Sequence, residues 1–231
     1  GGPVMPFFYR IRLKDGASRS AGFWDAVRNP YEVHAMVWRI FSDGSQKKRD
    51  FIYRMEVRER SPLIYAVSGS EPVDLDGVWE IDQKEYSPAL RAGQRLGFSL
   101  RANPVRTKRD EEGRQKRHDV VMDAKTLLNE SGCPPDARPP EAVLVQREGY
   151  NWLESRAGRL GFSVEPDLVR ADGYQQHRFR KWNGAGRVSF STIDFTGVLT
   201  VTDPDRFEEA LFQGVGSAKS FGCGLLLVRP L

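Results

Sequence analysis

Histidine and cysteine are scarce in this chain of 231 residues, with three of the first and two of the second. Cys133 and Cys223 are too few for a disulfide framework or a four-ligand zinc site. A reducing cytoplasm is the expected home. No apolar run approaches the roughly 18 residues that a membrane-spanning helix needs. Nothing at the start has the charged-then-apolar pattern of a signal peptide. Gly1-Gly2-Pro3-Val4, ahead of the first methionine, read as an expression remnant. The H-E-x-x-H, C-x-x-C and G-x-S-x-G patterns are all missing. Metal-free acid–base chemistry is the simplest enzyme class left, and no cofactor is expected.

What is present is ordinary for a globular protein: 39% hydrophobic and 29% charged residues, with a net charge of +4. The distribution of charge says more than its sum. Residues 101–118 hold seven Arg or Lys against three acids, among them Arg101, Arg106 and Lys108. Residues 170–187 hold five against one, including Arg178, Arg180, Lys181 and Arg187, with Tyr174, Phe179 and Trp182 interleaved. Basic stretches with aromatics among them suit a nucleic-acid backbone and its bases. A solvated loop and an exposed strand are the plainer alternatives.

Pro6 to Leu13 reads as a strand. Residues 29–43 read as a helix: Asn29 as cap, Pro30 at the first position, Glu32 where a capping-box acid belongs, Gly44 after the end. Strands follow at 50–58 and 63–68, with Ser61-Pro62 as the turn, and at 94–102. Residues 109–140 read as a linker or excursion with one short helix at 124–129. The second half gives a helix from Glu141 to Leu153 and strands at 161–165, 174–182 and 187–201. Asn183-Gly184-Ala185-Gly186 is a hairpin signal. A helix starting at Asp203-Pro204 ends at Gly214, and a strand closes the chain at 225–228. The expected class is α+β, as two tandem ferredoxin-like halves at 5–110 and 141–231 joined by 111–140. A single larger α+β domain is the alternative.

On the first helix Val33, Met36, Val37 and Ile40 share one face, while Tyr31, His34 and Trp38 lie on the face turned away. A phenol and an imidazole three residues apart are neighbours on a helix and can serve one substrate atom together. An exposed pair with no role is the competing reading. Residues 214–224 contain Gly214, Gly216, Gly222 and Gly224 around Lys219. Their backbone N–H groups can hold phosphates, although a glycine turn that only packs is the alternative. This is no Walker loop, because Ala218 replaces the glycine before the lysine and the segment runs from helix to strand.

Several segments resemble the CasE-type CRISPR-repeat endoribonucleases of type I-E Cascade complexes. They are Tyr31-Glu32-Val33-His34 with Trp38-Arg39, then Asp50-Phe51-Ile52-Tyr53-Arg54, then Leu100-Arg101-Ala102-Asn103-Pro104-Val105-Arg106. Gly197-Val198-Leu199, Asp203-Pro204 with Phe207, and the G-[IV]-G-x-x-K-x-F-G-C-G-L-L ending from Gly214 complete the match. The resemblance implies two ferredoxin-like, RRM-related domains. It also implies metal-independent cleavage of precursor CRISPR RNA at the base of a repeat stem-loop, by 2′-OH attack that leaves a 2′,3′-cyclic phosphate. The product stays bound, and other Cascade subunits are partners. By the same resemblance His34 is catalytic with Tyr31 its partner, Lys219 touches phosphate, and the hairpin at 174–187 grips the stem. The isolated protein is expected to be monomeric. The competing function is a non-catalytic RNA-binding subunit on the same platform.

Overall fold

A computed structural model of the chain describes residues 6–17, 23, 27–41, 50–58, 61–180 and 186–231. Gly1 to Val4, Gly44, Lys181, Trp182 and the hairpin tip at 183–185 lie outside the described residues. Among the described residues no helix is long and apolar enough to cross a membrane.

The first sheet is antiparallel. Its strands are β1 (Phe7–Leu13), β2 (Phe51–Arg58), β3 (Ser61–Ser68) and β4 (Trp79–Glu85), in the order β2-β3-β1-β4. Helix α1 (Pro30–Phe41) covers one face and starts where its sequence dictates. The Tyr31 N–H donates to Asn29 Oδ1 at 2.9 Å and the Val33 N–H to the Asn29 carbonyl at 3.0 Å. Val33, Val37, Ile40 and Phe41 are buried against Tyr9, Ile11, Phe51, Tyr53 and Ile64. Each such side chain contributes roughly 1.5–3 kcal/mol on burial.

Two features of this sheet differ from the sequence expectation. Ser61 and Pro62 are the first residues of β3, opposite Arg58 and Val57, rather than a turn. The β1 partners begin only at Leu63, so the missing Pro62 N–H breaks no bond on that side. Strand β4 alternates only at Trp79 and Ile81 before four polar residues, too short a pattern to read as a strand. Its charges are instead satisfied across the ladder, Arg10 to Asp82 at 2.7 Å and Arg12 to Glu80 at 2.8 Å. Each exposed pair is worth under about 1 kcal/mol, but together they fix the register of an edge strand. Residues 69–78, between β3 and β4, contain no helix.

The second sheet contains β5 (Arg95–Ala102), β8 (Phe162–Arg180), β9 (Arg187–Val201) and β10 (Leu226–Pro230), in the order β10-β5-β9-β8. Strand β5 had been expected to complete the N-terminal half. It lies instead between β10 and β9, so the sheets part between Glu85 and Arg95. Leu96, Phe98, Leu100 and Ala102 share one face and are all buried in the core of this second sheet. The stretch expected as a linker is structured. Strands β6 (Val105–Arg109) and β7 (Gln115–Asp119) form a hairpin, and helix α2 (Val120–Glu130) follows directly. Asp110 Oδ1 accepts the N–H groups of Glu112 and Arg114 in the hairpin turn. Asp119 Oδ1 accepts those of Val121 and Met122 at the start of α2.

Helices α3 (Glu141–Ala157) and α4 (Pro204–Gln213) cover the second sheet, placing Leu153, Phe207 and Leu211 on Phe162, Phe195 and Leu199. The two strands expected at 161–165 and 174–182 are parts of one long β8. Its register against β9 shifts after Val164 and again after Asp172. The Gln146 side chain steadies the first irregularity. It donates to the Val169 carbonyl and accepts the Ala171 N–H, each at 2.8 Å.

The two thiols have different surroundings. Cys223 is fully buried and its thiol is pushed up to about 12 by burial, while Cys133 is partly exposed. Iodoacetamide at pH 8 is therefore expected to alkylate Cys133 in the folded protein and Cys223 only after denaturation. Peptide mapping by mass spectrometry reads this out, and rapid native alkylation of Cys223 would contradict the burial.

Candidate active site

Helix α1 brings Tyr31 and His34 to the junction between the two sheets. The sequence had turned their face to solvent, but both are half-buried. A helical wheel sees one core at a time, and here the C-terminal half supplies a second set of contacts. The His34 ring lies 5.8 Å from Trp38 and 5.8 Å from Phe221, and the Tyr31 ring lies 6.2 Å from Phe179. Phe179 and Phe190 both meet Phe221, at 5.3 and 5.1 Å. His177 stacks on Phe190 at 4.7 Å. The catalytic candidates thus rest on an aromatic floor drawn from β8, β9 and the glycine-rich turn. Sequence reasoning missed Phe190 and Phe221. The apolar positions Val188 and Phe190, alternating with polar neighbours along β9, were the available signal for the first.

The glycine-rich turn is held by its backbone. Val215 N–H donates to the Gly224 carbonyl and Gly224 N–H to the Arg101 carbonyl, both at 2.8 Å. Tyr53 Oη donates to the Ser220 carbonyl at 3.0 Å, tying the turn to the first sheet. Gly214, Gly216, Gly222 and Gly224 all have positive φ. Gly224 has the tightest constraint: at φ 95° any Cβ would stand 2.9 Å from the Val215 carbonyl oxygen. Lys219 opens the short helical turn Lys219–Phe221, which packs on α1, so the predicted lysine and histidine do belong to one locality.

The basic candidates divide into two groups. Arg101 is committed internally, donating to both Asp194 oxygens at 2.7 and 2.8 Å and to the Met55 carbonyl at 3.3 Å. Arg106 lies 3.4 Å from Asp123 and 3.6 Å from Glu148, and Lys108 is paired with the same Asp123. Arg178, Arg180 and Arg187 are exposed on the β8–β9 hairpin, with Arg180 opposite Arg187 and Arg178 opposite Ser189. Among the described residues no acid pairs with these three. Phe179 points to the other side, toward Tyr31, so the expected alternation of Arg178 and Arg180 against Phe179 holds.

A cleft of about 250 Å³ opens beside this floor, lined by Arg28 and Pro30 at the start of α1 and by Gln175, His177, Asp194 and Phe221. An imidazole can take and give a proton near neutrality, and a phenol can donate a hydrogen bond to a reacting oxygen. Among the described residues no three His, Cys, Asp or Glu side chains converge as a metal site requires.

His177 also borders the cleft, with Nε2 3.1 Å from Thr192 Oγ1. Burial, reinforced by the Arg101 charge, lowers its pKa below the ordinary 6.5. The unfolded chain therefore binds the proton more readily, and stability is lost as pH falls below 6.5 toward the folded value. The melting temperature of the wild type should drop more between pH 7 and pH 5 than that of His177→Gln. Equal pH dependence in the two proteins would remove His177 from this role.

A family model described as "CRISPR associated protein" matches residues 7–230. The chain is 28% identical to the CRISPR system Cascade subunit CasE of Escherichia coli K12, over 88% of this chain and 94% of that protein. It is 29% identical to the CRISPR-associated endoribonuclease Cse3 of Thermus thermophilus, over 88% and 92% respectively. The solved structure of Thermus thermophilus Cse3 bound to an RNA representing a pre-cleavage complex superposes with a TM-score of 0.67, at 27% identity, covering 97% of this chain and 99% of that one. Both curated relatives are matched along nearly their whole length. The chain belongs to the CRISPR associated protein family.

Proposed function

We propose that this chain is an endoribonuclease that binds a CRISPR repeat stem-loop, cuts the precursor RNA at its base and stays bound to the product within a Cascade assembly. One observation carries the reading: Phe179 lies against Tyr31 while its neighbours Arg178 and Arg180 extend outward on the same strand. A duplex held on the arginine ladder thereby has one end delivered to the Tyr31 and His34 helix.

In the proposed reaction the ribose 2′-oxygen attacks the adjacent phosphorus and the bond from phosphorus to the 5′-oxygen breaks. A 2′,3′-cyclic phosphate and a 5′-hydroxyl result. The 2′-hydroxyl loses a proton and the departing 5′-oxygen gains one, and His34 carries one of these transfers. Tyr31 donates a hydrogen bond to a phosphate oxygen as charge builds there, and Lys219 supplies positive charge nearby. The nucleophile belongs to the substrate, so neither a metal nor a cofactor is required.

The architecture supports this assignment. Both sheets have the spatial order fourth-first-third-second along their own strands, β4-β1-β3-β2 and β10-β5-β9-β8. This is the order of a ferredoxin-like unit, given twice, the first time without its second helix. The units run over about 6–85 and 95–231, and the protein acts in the cytoplasm as a monomer until it joins its complex. A second reading has one observation in its favour. The half-buried Tyr31 and His34 face packs on Phe179 and Phe221, as a purely structural face in a non-catalytic RNA-binding subunit would.

Single-turnover cleavage of a repeat hairpin in excess EDTA separates the two. The wild type should cut, and His34→Ala should lose about 10²–10⁴-fold in rate with hairpin affinity little changed. Tyr31→Phe should lose less. Full activity in His34→Ala, or no cutting in EDTA, would overturn the proposal.

Arg178 and Arg180 replaced together by Ala should weaken hairpin binding and lower the log–log salt slope, by roughly one unit or less per lost phosphate contact. Arg106→Ala should do less, because Asp123 and Glu148 already offset its charge. Filter binding across a salt series reads this out. An unchanged slope in the double variant would move the stem elsewhere.

A further inference from the structure

A second cavity, of about 450 Å³, lies between the β6–β7 hairpin and the β8–β9 hairpin. Its lining includes Asn103, Ser191, Ser217, Met122, Arg117 and Arg178. The volume falls in the roughly 300–1,000 Å³ range of small-ligand sites. Neither Tyr31 nor His34 lines it.

Two of its side chains are anomalous. Asn103 is 6% exposed and Ser191 is 3% exposed, yet Asn103 Oδ1 and Ser191 Oγ have no hydrogen-bond partner. The Asn103 amide group is otherwise oriented, with Nδ2 donating to Ser217 Oγ at 3.3 Å. A buried polar atom left unpaired costs about 1–3 kcal/mol, so two of them on residues that line one cavity require an explanation. Asp119, also on the wall, does not supply one. Its Oδ1 accepts the N–H groups of Val121 and Met122, and its Oδ2 accepts the Tyr174 hydroxyl at 2.9 Å.

The chemistry of these two atoms selects the ligand. A carbonyl oxygen only accepts, so the group opposite Asn103 Oδ1 must donate. Phosphate oxygens carry no proton to give, whereas the edge of a nucleobase offers amino or imino N–H groups. Arg117 and Arg178 are exposed, and both line the cavity, where the phosphate of the same nucleotide can meet them. Met122, 40% exposed, gives the base an apolar contact. Arg178 belongs both to this cavity and to the arginine ladder, which makes the nucleotide contiguous with the stem.

We infer that this cavity holds one unpaired nucleotide adjoining the repeat stem, read by Asn103 and Ser191, which are specificity-determining residues. The inference rests on the RNA-processing reading above. Its consequence is that the protein distinguishes repeats by a base outside the duplex, where the deep groove of an A-form stem permits little readout.

The test uses repeat hairpins in which each nucleotide flanking the stem is replaced in turn by an abasic ribose. Affinity is measured at fixed salt for the wild type, Ser191→Ala and Asn103→Leu. In the wild type one flanking position should lose roughly 10–100-fold on base removal, and both variants should shrink that loss severalfold at that position alone. Melting curves accompany each variant. Should Asn103→Leu fail to fold, Ser191→Ala carries the test, because removing a hydroxyl without a partner leaves the fold intact. Equal abasic losses in all three proteins overturn the pocket while leaving the nuclease reading untouched. A wild type that does not bind repeat hairpins overturns both. Binding of a free nucleoside monophosphate that Ser191→Ala abolishes, with no abasic effect at any flanking position, overturns the RNA-borne assignment.

Discussion

The turn at residues 214–224 is bonded by its backbone to strand β5 and through Tyr53 to strand β2, and the aromatic floor beside Tyr31 and His34 is centred on it. The Gly224 N–H to the Arg101 carbonyl and the Tyr53 hydroxyl to the Ser220 carbonyl are two of its ties. Between them the turn presents Phe221 to His34, Phe179 and Phe190. A residue other than glycine at 224 would combine φ 95° with a Cβ contact of 2.9 Å on backbone oxygen. Such strain costs on the order of 1–3 kcal/mol, and the nearest atom is backbone, which cannot swing aside as a side chain can. The glycines therefore serve packing first. Any contact of this turn with phosphate is made by a shape that the fold has already imposed.

Charge acts by location here. A net +4 would not steer much by itself. Arg101, inside a two-bond pair with Asp194, joins β5 to β9 and also lowers the pKa of His177 nearby. Arg106 and Lys108 share acids from the helices behind them. Among the described residues Arg178, Arg180 and Arg187 pair with no acid and stand together on one surface of a two-stranded ribbon. A ribbon of this kind projects charge away from the core while its other face, through Phe179, is anchored to the reacting helix.

Some of this was legible in the residues. Asn29-Pro30 and Asp203-Pro204 mark helix starts by local chemistry alone, and both helices begin there. The Arg178–Phe179–Arg180 alternation gave the correct faces. Other features were beyond a local reading. Strand β4 depends on Arg10 and Arg12, some 70 residues upstream, to satisfy its acids. Strand β5 looks like any buried strand until its partners β9 and β10 are known. The face carrying Tyr31 and His34 was assigned to solvent because the aromatic rings that cover it come from the other half of the chain. The cavity at Asn103 and Ser191 was not legible at all, since an unpaired polar atom is defined only by its surroundings.

The central claim is that the substrate supplies its own nucleophile to a protein site built around Tyr31 and His34. A repeat hairpin with a single 2′-deoxy nucleotide before the scissile bond tests it most directly, with binding and single-turnover cleavage measured on the same RNA. The account predicts affinity near that of the unmodified hairpin and no cutting at that bond. Efficient cleavage of the deoxy hairpin at the same bond would require a water nucleophile and would contradict it.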